Sequence, residues 1–243
     1  MAPSEQSQPV VLIAGGTGGL GSAVTAAVLQ AGAQAIVLTT PRTNWKAFEK
    51  EIAGRVPSIA DLSGVEADAL ALQGLRGAVR TILEGFGRID ALINLVGGFA
   101  GGKPLAETTE EILDQQFEIN CKTAFLLSQA VLPVLIDQGS GRIVHTVAGA
   151  ALQGVAGLSA YGPSKAALLN LVQCLALEAG PSGVRVNAIA PGTVDTPANR
   201  SAMPDADFTS WVKPEHLAEI YVMLALSPAG HDINGVAIPV SGA

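Results

Sequence analysis

Short aliphatic runs alternate along the chain with longer stretches that mix apolar and polar positions. Residues 10–14, 35–39, 91–95, 141–147, 185–190 and 236–240, with one more run inside 56–67, have the length and the Val, Ile and Leu content of strands. Near-continuous apolar runs of that length fit strands buried on both faces. Residues 19–31, 44–53, 69–86, 109–138, 161–179 and 214–226 read as helices between them. The alternation predicts an α/β fold: one Rossmann-type doubly wound parallel sheet of about seven strands with helices on both faces. No repeat or low-complexity tract divides the chain. Residues 9–243 are expected to form one domain after a flexible 1–8, and the Pro-rich, polar segment 197–213 is the longest irregular stretch, as a functional loop would be.

Of the 243 residues, 49% are hydrophobic and 14% charged, which excludes a disordered chain. Fourteen basic against 21 acidic residues give a net charge of −7, so the cationic surface of a nucleic-acid binder is not expected. Residues 6–41 carry no charged side chain, but the glycines between Gly15 and Gly21 break that run far short of a spanning helix. No membrane partner and a cytoplasmic location are expected. Cys121 and Cys174 have no metal-ligand spacing, so no metal is expected.

Gly15, Gly16, Thr17, Gly18, Gly19, Leu20 and Gly21 follow the first strand and open the first helix. Glycines there let backbone approach a pyrophosphate, and the free amides of a helix N-terminus face its charge. An NAD-preferring site commonly adds an acid about 20 residues further on. Here none occurs between Glu5 and Glu49, and Thr40 and Arg42 stand at the end of the second strand. Hydroxyl and guanidinium groups suit a 2′-phosphate, so NADP(H) is expected over NAD(H).

Tyr161 and Lys165, four residues apart, share one helical face. An ammonium beside a phenol is expected to lower its pKa and make it a proton donor near neutrality. Together with the glycine loop, Asn94-Leu95-Val96-Gly97 after strand four, Asn120 in the long helix, and Pro191-Gly192 followed by Thr196, these residues resemble a short-chain dehydrogenase/reductase over nearly the whole chain. The resemblance implies an oxidoreductase acting on a small molecule. Tyr161 would be the general acid, Lys165 would hold the ribose and tune Tyr161, and Asn120 would serve a proton relay. Asn94 and Gly97 would border the cofactor, Val194 and Thr196 would lie by the nicotinamide carboxamide, and Asp68 by the adenine, with Asp61 as the alternative.

One position departs from that family. Its substrate-orienting Ser falls at Ala148. Three readings stay open: a substrate electrophilic enough to need no such hydroxyl, a substitute donor at Thr146 or His145, or a catalytically silent cofactor binder. Residues 97–102, 148–150 and 195–211 are similar to dihydropteridine reductases, which also lack the Ser, and this implies a quinonoid dihydropterin substrate. Phe99 and Trp211 would then flank a flat ring, with simple packing of their loops onto the body of the fold as the alternative. Thr40 and Asn120 depart from those reductases, which keeps a carbonyl substrate as the alternative. Apolar residues in excess of one buried face, among them Phe125, Leu126 and Leu171, predict a homodimer or homotetramer.

Overall fold

Each two-sided apolar strand can leave water on both faces only between two layers of helix, and the fold follows from that requirement. A computed structural model describes residues 8–242. Most of the expected flexible N-terminus therefore lies outside the described residues. Gln8 is described, and its Oε1 accepts a hydrogen bond from Gln34 Nε2 at 2.8 Å.

Seven parallel strands form one sheet: β1 (Val10–Ala14), β2 (Gln34–Thr39), β3 (Leu62–Glu66), β4 (Ala91–Asn94), β5 (Gly141–Thr146), β6 (Val184–Pro191) and β7 (Ala237–Val240). Their order is β3-β2-β1-β4-β5-β6-β7. The direction of winding reverses between β1 and β4, and ligands of such sheets bind at the carboxyl ends of the strands there. Alternation along β1 feeds two cores: Val10, Leu12 and Ala14 enter one, Val11 and Ile13 the other. The first core is closed by α3 (Leu72–Phe86), α5 (Thr123–Gln138) and α6 (Tyr161–Ala179). The second is closed by α1 (Gly19–Gln30), α2 (Trp45–Ala53) and α8 (Pro214–Leu226).

Two segments differ from the sequence expectation. The long helix 109–138 is α4 (Glu110–Phe117), a π-helical turn Glu118–Lys122, and α5 in succession. That stretch is long and apolar enough by composition to cross a membrane, yet it packs along the sheet with Asn120, Leu127 and Leu135 buried. Segment 197–213 is less irregular than expected. It contains α7 (Pro197–Ala202) and a 3-10 turn Phe208–Ser210. Proline at the first helical position and Thr196 at the N-cap, its Oγ1 accepting from Asn199 N at 3.2 Å, start α7.

The same segment is tied down at both ends. Asp195 carboxylate oxygens accept from Arg200 at one end and from Lys213 Nζ, at 2.6 Å, at the other. The Asp195 side chain is only 8% exposed, and its carboxyl is held well below the usual range by Arg200 first and Lys213 second. Between the ties Arg200 lies over the Phe208 ring, which packs on Trp211 with ring centroids 4.7 Å apart.

Candidate active site

The glycine loop leads from β1 into α1 beneath the end of β4. Gly15 has φ +80°, a conformation that side chains resist, and an added Cβ would meet Leu95 backbone at 3.0 Å. At Gly21 a Cβ would overlap the carbonyl of Gly15 and the backbone of Gly16, so only glycine lets helix and loop pack this closely. The N-cap of α1 is Gly18, which has no side chain to cap the helix, and Thr17, Gly18 and Gly19 are exposed. An uncapped helix start with bare backbone facing outward fits a dinucleotide pyrophosphate. Across the opening stands Thr196, 3.0 Å from where a Cβ on Gly19 would lie. The glycine loop and the segment that follows β6 therefore meet at the carboxyl ends of the strands, where ligands of such sheets bind. Pro191 ends β6, and Gly192 and Val194 lead from it to Thr196, with Gly192 N donating to Val240 O at 2.8 Å.

Tyr161 begins α6 and Lys165 follows one turn later, with Nζ 6.0 Å from the Tyr161 ring centroid. Lys165 Nζ donates to the Thr146 carbonyl at 2.9 Å. Burial pushes the ammonium down to about 8 and the phenol up to about 12. The expected lowering of the Tyr161 pKa is thus corrected: at that separation, loss of water around the phenol outweighs the ammonium. A phenol at about 12 stays protonated at neutral pH, which is the state a proton donor needs.

Asn120 occupies the middle of the π-helical turn and is fully buried. Its amide clips Gly98 from both sides, Oδ1 accepting from Gly98 N and Nδ2 donating to Gly98 O, each at 3.0 Å. Nδ2 also lies 3.1 Å from Ser164 Oγ, which donates to the Tyr161 carbonyl at 2.7 Å. A Cβ on Gly97 would come within 2.9 Å of both Asn120 Oδ1 and Lys165 Nζ. Tyr161, Lys165, Asn120 and Gly97 are therefore brought together.

Two contributors escaped the sequence reading. Gln116 Oε1 accepts from Asn120 Nδ2 at 3.3 Å and from Ala100 N at 3.2 Å, joining Asn120 to the loop that carries Phe99. Ser164 joins Asn120 to the start of α6. The available signal was spacing: Gln116 stands one helical turn before Asn120, and Ser164 lies inside the Tyr161–Lys165 pair.

Below the site, Asn94 Nδ2 meets His145 Nδ1 at 3.1 Å, and His145 Nε2 meets Ser128 Oγ at 3.0 Å. Ser128 spends its own proton on the Ala124 carbonyl at 2.8 Å, so His145 Nε2–H must donate and Nδ1 must accept. The imidazole is neutral, its pKa lowered to about 3 by burial first and by Lys165 second. Thr146 Oγ1 donates to Asn94 O at 2.8 Å and accepts from Tyr221 OH at 2.6 Å. Both residues considered as substitute donors for the missing Ser are thereby committed inside the fold, and that reading is corrected. Ala148 is buried, with no hydroxyl in its place.

Thr17, Thr40 and Arg42 line one hollow of about 450 Å³, together with Thr43, Asn44 and Glu51. Thr43 Oγ1 accepts from Thr40 N at 3.0 Å, and Arg55 draws the Glu51 carboxylate at 3.3 Å. Asp68 is exposed beyond the carboxyl end of β3, where it accepts from Leu70 N at 2.9 Å. The alternative, Asp61, lies at the opposite end of the sheet bound to Gln34, which removes it from the cleft. Phe99 is 66% exposed, and its ring meets Tyr161 edge-on at 5.0 Å between centroids. Trp211 does not stand open in this way: it is 8% exposed and packs on Phe208, so loop packing accounts for it and its expected place beside a substrate ring is corrected.

The family pattern described as short chain dehydrogenase matches residues 9–207. A 3-oxoacyl-acyl-carrier-protein reductase of Thermotoga maritima is 29% identical over 244 residues, covering 96% of each chain. A carbonyl reductase (NADPH) 2 of Sus scrofa is 30% identical over 206 residues, 84% of this chain and 80% of that one. Among solved structures, levodione reductase superposes with a TM-score of 0.87 at 27% identity, covering 96% of each chain.

Proposed function

Because this chain belongs to the short-chain dehydrogenase family, we propose that it is an NADPH-dependent reductase of a small carbonyl compound, with Tyr161 as the general acid. The observation that carries this reading is the meeting of Tyr161, Lys165 and Asn120 at the end of a cleft whose other end is an uncapped, glycine-built helix start. NADPH, when bound, supplies the hydride. Gly15, Thr17, Gly19, Leu20 and Gly21 would face its pyrophosphate, Thr40 and Arg42 the 2′-phosphate, and Asp68 the adenine. Asn94, Gly97, Pro191, Gly192, Val194 and Thr196 would border the nicotinamide end. Tyr161 holds the proton at its hydroxyl and gives it to the substrate oxygen. Lys165, anchored on the Thr146 carbonyl, keeps two further N–H donors for a ribose and for the phenol side of the cleft. Asn120 holds the Gly97–Gly98 backbone in place. In this reading the enzyme works in the cytoplasm.

The test is NADPH oxidation with ketones, quinones and quinonoid dihydropterin. NADPH binding without consumption on any of them would overturn the enzyme. On substrates that are reduced, kcat/KM with NADPH should exceed that with NADH, and Arg42→Ala should cut the ratio about tenfold, the scale of a charged hydrogen bond. Equal use of both cofactors by the wild type would overturn the NADPH preference.

The names of the relatives favour a carbonyl substrate. A quinonoid dihydropterin is the second reading, favoured by one observation: Ala148 supplies no hydroxyl and neither His145 nor Thr146 replaces it. An already electron-poor substrate needs no separate oxyanion donor.

The reading includes a homo-oligomer. Leu113, Phe117 and Phe125 expose apolar surface along α4 and α5, Phe125 at 48%. A second copy covering that face would account for them. Light scattering at micromolar concentration should give a multiple of 24.6 kDa, and a single-chain mass would overturn this part.

A further inference from the structure

Next to Phe99, whose ring meets Tyr161, a hollow of about 250 Å³ opens between two loops, with Thr108 and Ile112 completing its lining. One loop runs from Phe99 to Lys103, the other from Gly157 to Ala160, the residue before Tyr161. Their relative position is fixed. Gly102 N donates to Gly157 O at 2.9 Å, and both glycines have positive φ, +91° and +78°. A Cβ on Gly101 would strike Leu158. These constraints set where the chain leaves the turn, and it leaves at Lys103.

The wall is apolar on the Tyr161 side, where Phe99 and Ala160 stand, and carries one charge at its rim. Lys103 is the only ionisable residue in the lining, and among the described residues no ion pair engages it. Thr108, the hydroxyl of the lining, spends its proton on the Pro104 carbonyl at 3.1 Å. The nearest acids in sequence, Glu107, Glu110 and Glu111, lie outside the lining, and Glu111 is hydrogen-bonded to Thr109. A small apolar recess with a single ammonium at its mouth, next to the proton donor, selects a flat molecule with an anionic end.

We propose that this hollow takes the anionic end of a small carbonyl substrate, a carboxylate or sulfonate, and that Lys103 is the residue that selects it. The proposal rests on the reductase reading given above and names its substrate class. Charge at the rim acts through encounter and ground-state binding, so it belongs in KM rather than in the chemical step.

A matched pair of aldehydes tests it: 4-carboxybenzaldehyde and its methyl ester, with NADPH, in wild type, Lys103→Ala, Lys103→Arg and Lys103→Glu. For the carboxylate, Lys103→Ala should raise KM about fivefold and leave kcat unchanged, the scale of one partly exposed ion pair. Lys103→Arg should retain the wild-type KM and Lys103→Glu should raise it further. None of the three should change KM for the ester. The effect should shrink as salt is raised from about 10 mM to 1 M, as screening demands. Binding of terephthalate to the NADP-loaded enzyme, followed by calorimetry, gives the same comparison without turnover, with dimethyl terephthalate as the neutral control. Wild type that binds the dianion no more tightly than the diester, or Lys103→Ala that changes both alike, overturns the anionic subsite while the reductase reading stands. Selective terephthalate binding without turnover of any carbonyl would instead count against the reductase reading alone.

Discussion

Tyr161→Phe is expected to lower kcat for carbonyl reduction by at least about 10²- to 10⁴-fold, the usual worth of a positioned general acid. NADPH affinity should stay within about twofold, because the change removes one oxygen and leaves the ring on Phe99. Two observations set the direction. The phenol is pushed up to about 12 by burial, so at pH 7 it carries the proton that reduction requires. Lys165 is anchored by the Thr146 carbonyl at the end of β5, outside α6, so its position survives the loss of the hydroxyl. Steady-state rates and NADPH fluorescence titration on the same preparation would separate the two effects. Retention of more than about a tenth of the wild-type kcat would remove Tyr161 from the role of acid.

The second large effect concerns stability and pH. His145 is buried and neutral, with a pKa near 3 in the fold against 6.5 in the unfolded chain. Between those values the unfolded chain binds a proton that the folded chain refuses, so acid favours unfolding. The stabilisation is complete above about 6.5 and is lost as pH falls toward 3, at up to about 1.4 kcal/mol per pH unit. Urea midpoints measured from pH 7.5 to 4.5 should therefore be level down to about pH 6.5 and fall below it for the wild type. His145→Gln, which removes the titrating group, should start lower because the Asn94 and Ser128 partners are disturbed, and its slope should flatten across the same window. Parallel slopes for the two proteins would show that His145 does not govern acid sensitivity.

The sheet was legible because its signal is two-sided and short. Residues 10–14 could be read as a strand from an unbroken apolar run, and β1 has those bounds, since a parallel strand buried on both faces leaves no polar position to blur its ends. The helix 161–179 was equally plain. The break at Asn120 was not. A π-helical turn keeps the composition of a helix and adds a residue to one turn, so periodicity cannot register it, and the segment read as one helix. α7 was missed for another reason: its six residues are too few for an apolar period, although Thr196-Pro197 is a helix-start signal.

Of the candidate site, the sequence disclosed the residues whose own type is the signal, a reactive side chain at Tyr161 and Lys165 and the lack of one at Gly15 and Gly21. Gly15, Gly21, Tyr161 and Lys165 belong to short local spacings that geometry can interpret. It did not disclose residues that act by holding others. Gln116 matters because its carbonyl receives two N–H groups from elements 4 and 16 residues away, and only the folded chain brings the more distant one into reach. The fates of His145 and Thr146 were hidden for the same reason. A His inside a strand reads first as a satisfied residue, but its partners, like those of Thr146, are set by Ser128, Asn94 and Tyr221, which only the folded chain brings together. For Trp211 the sequence leaves a ligand contact and loop packing both open, and only its packing on Phe208 decides between them.

The double tie of Asp195 to Arg200 and Lys213 alters when the cost of ordering the loop is met. Fixing a residue costs about 1–2 kcal/mol of backbone entropy. A loop that became ordered around each substrate would draw that cost from every binding event and weaken affinity by the same amount. The ties of Asp195 run to residues of the same chain and involve no ligand atom, so bracing of segment 197–213 belongs to folding, and under the proposed reading the binding energy of each substrate stays available for orientation at Tyr161.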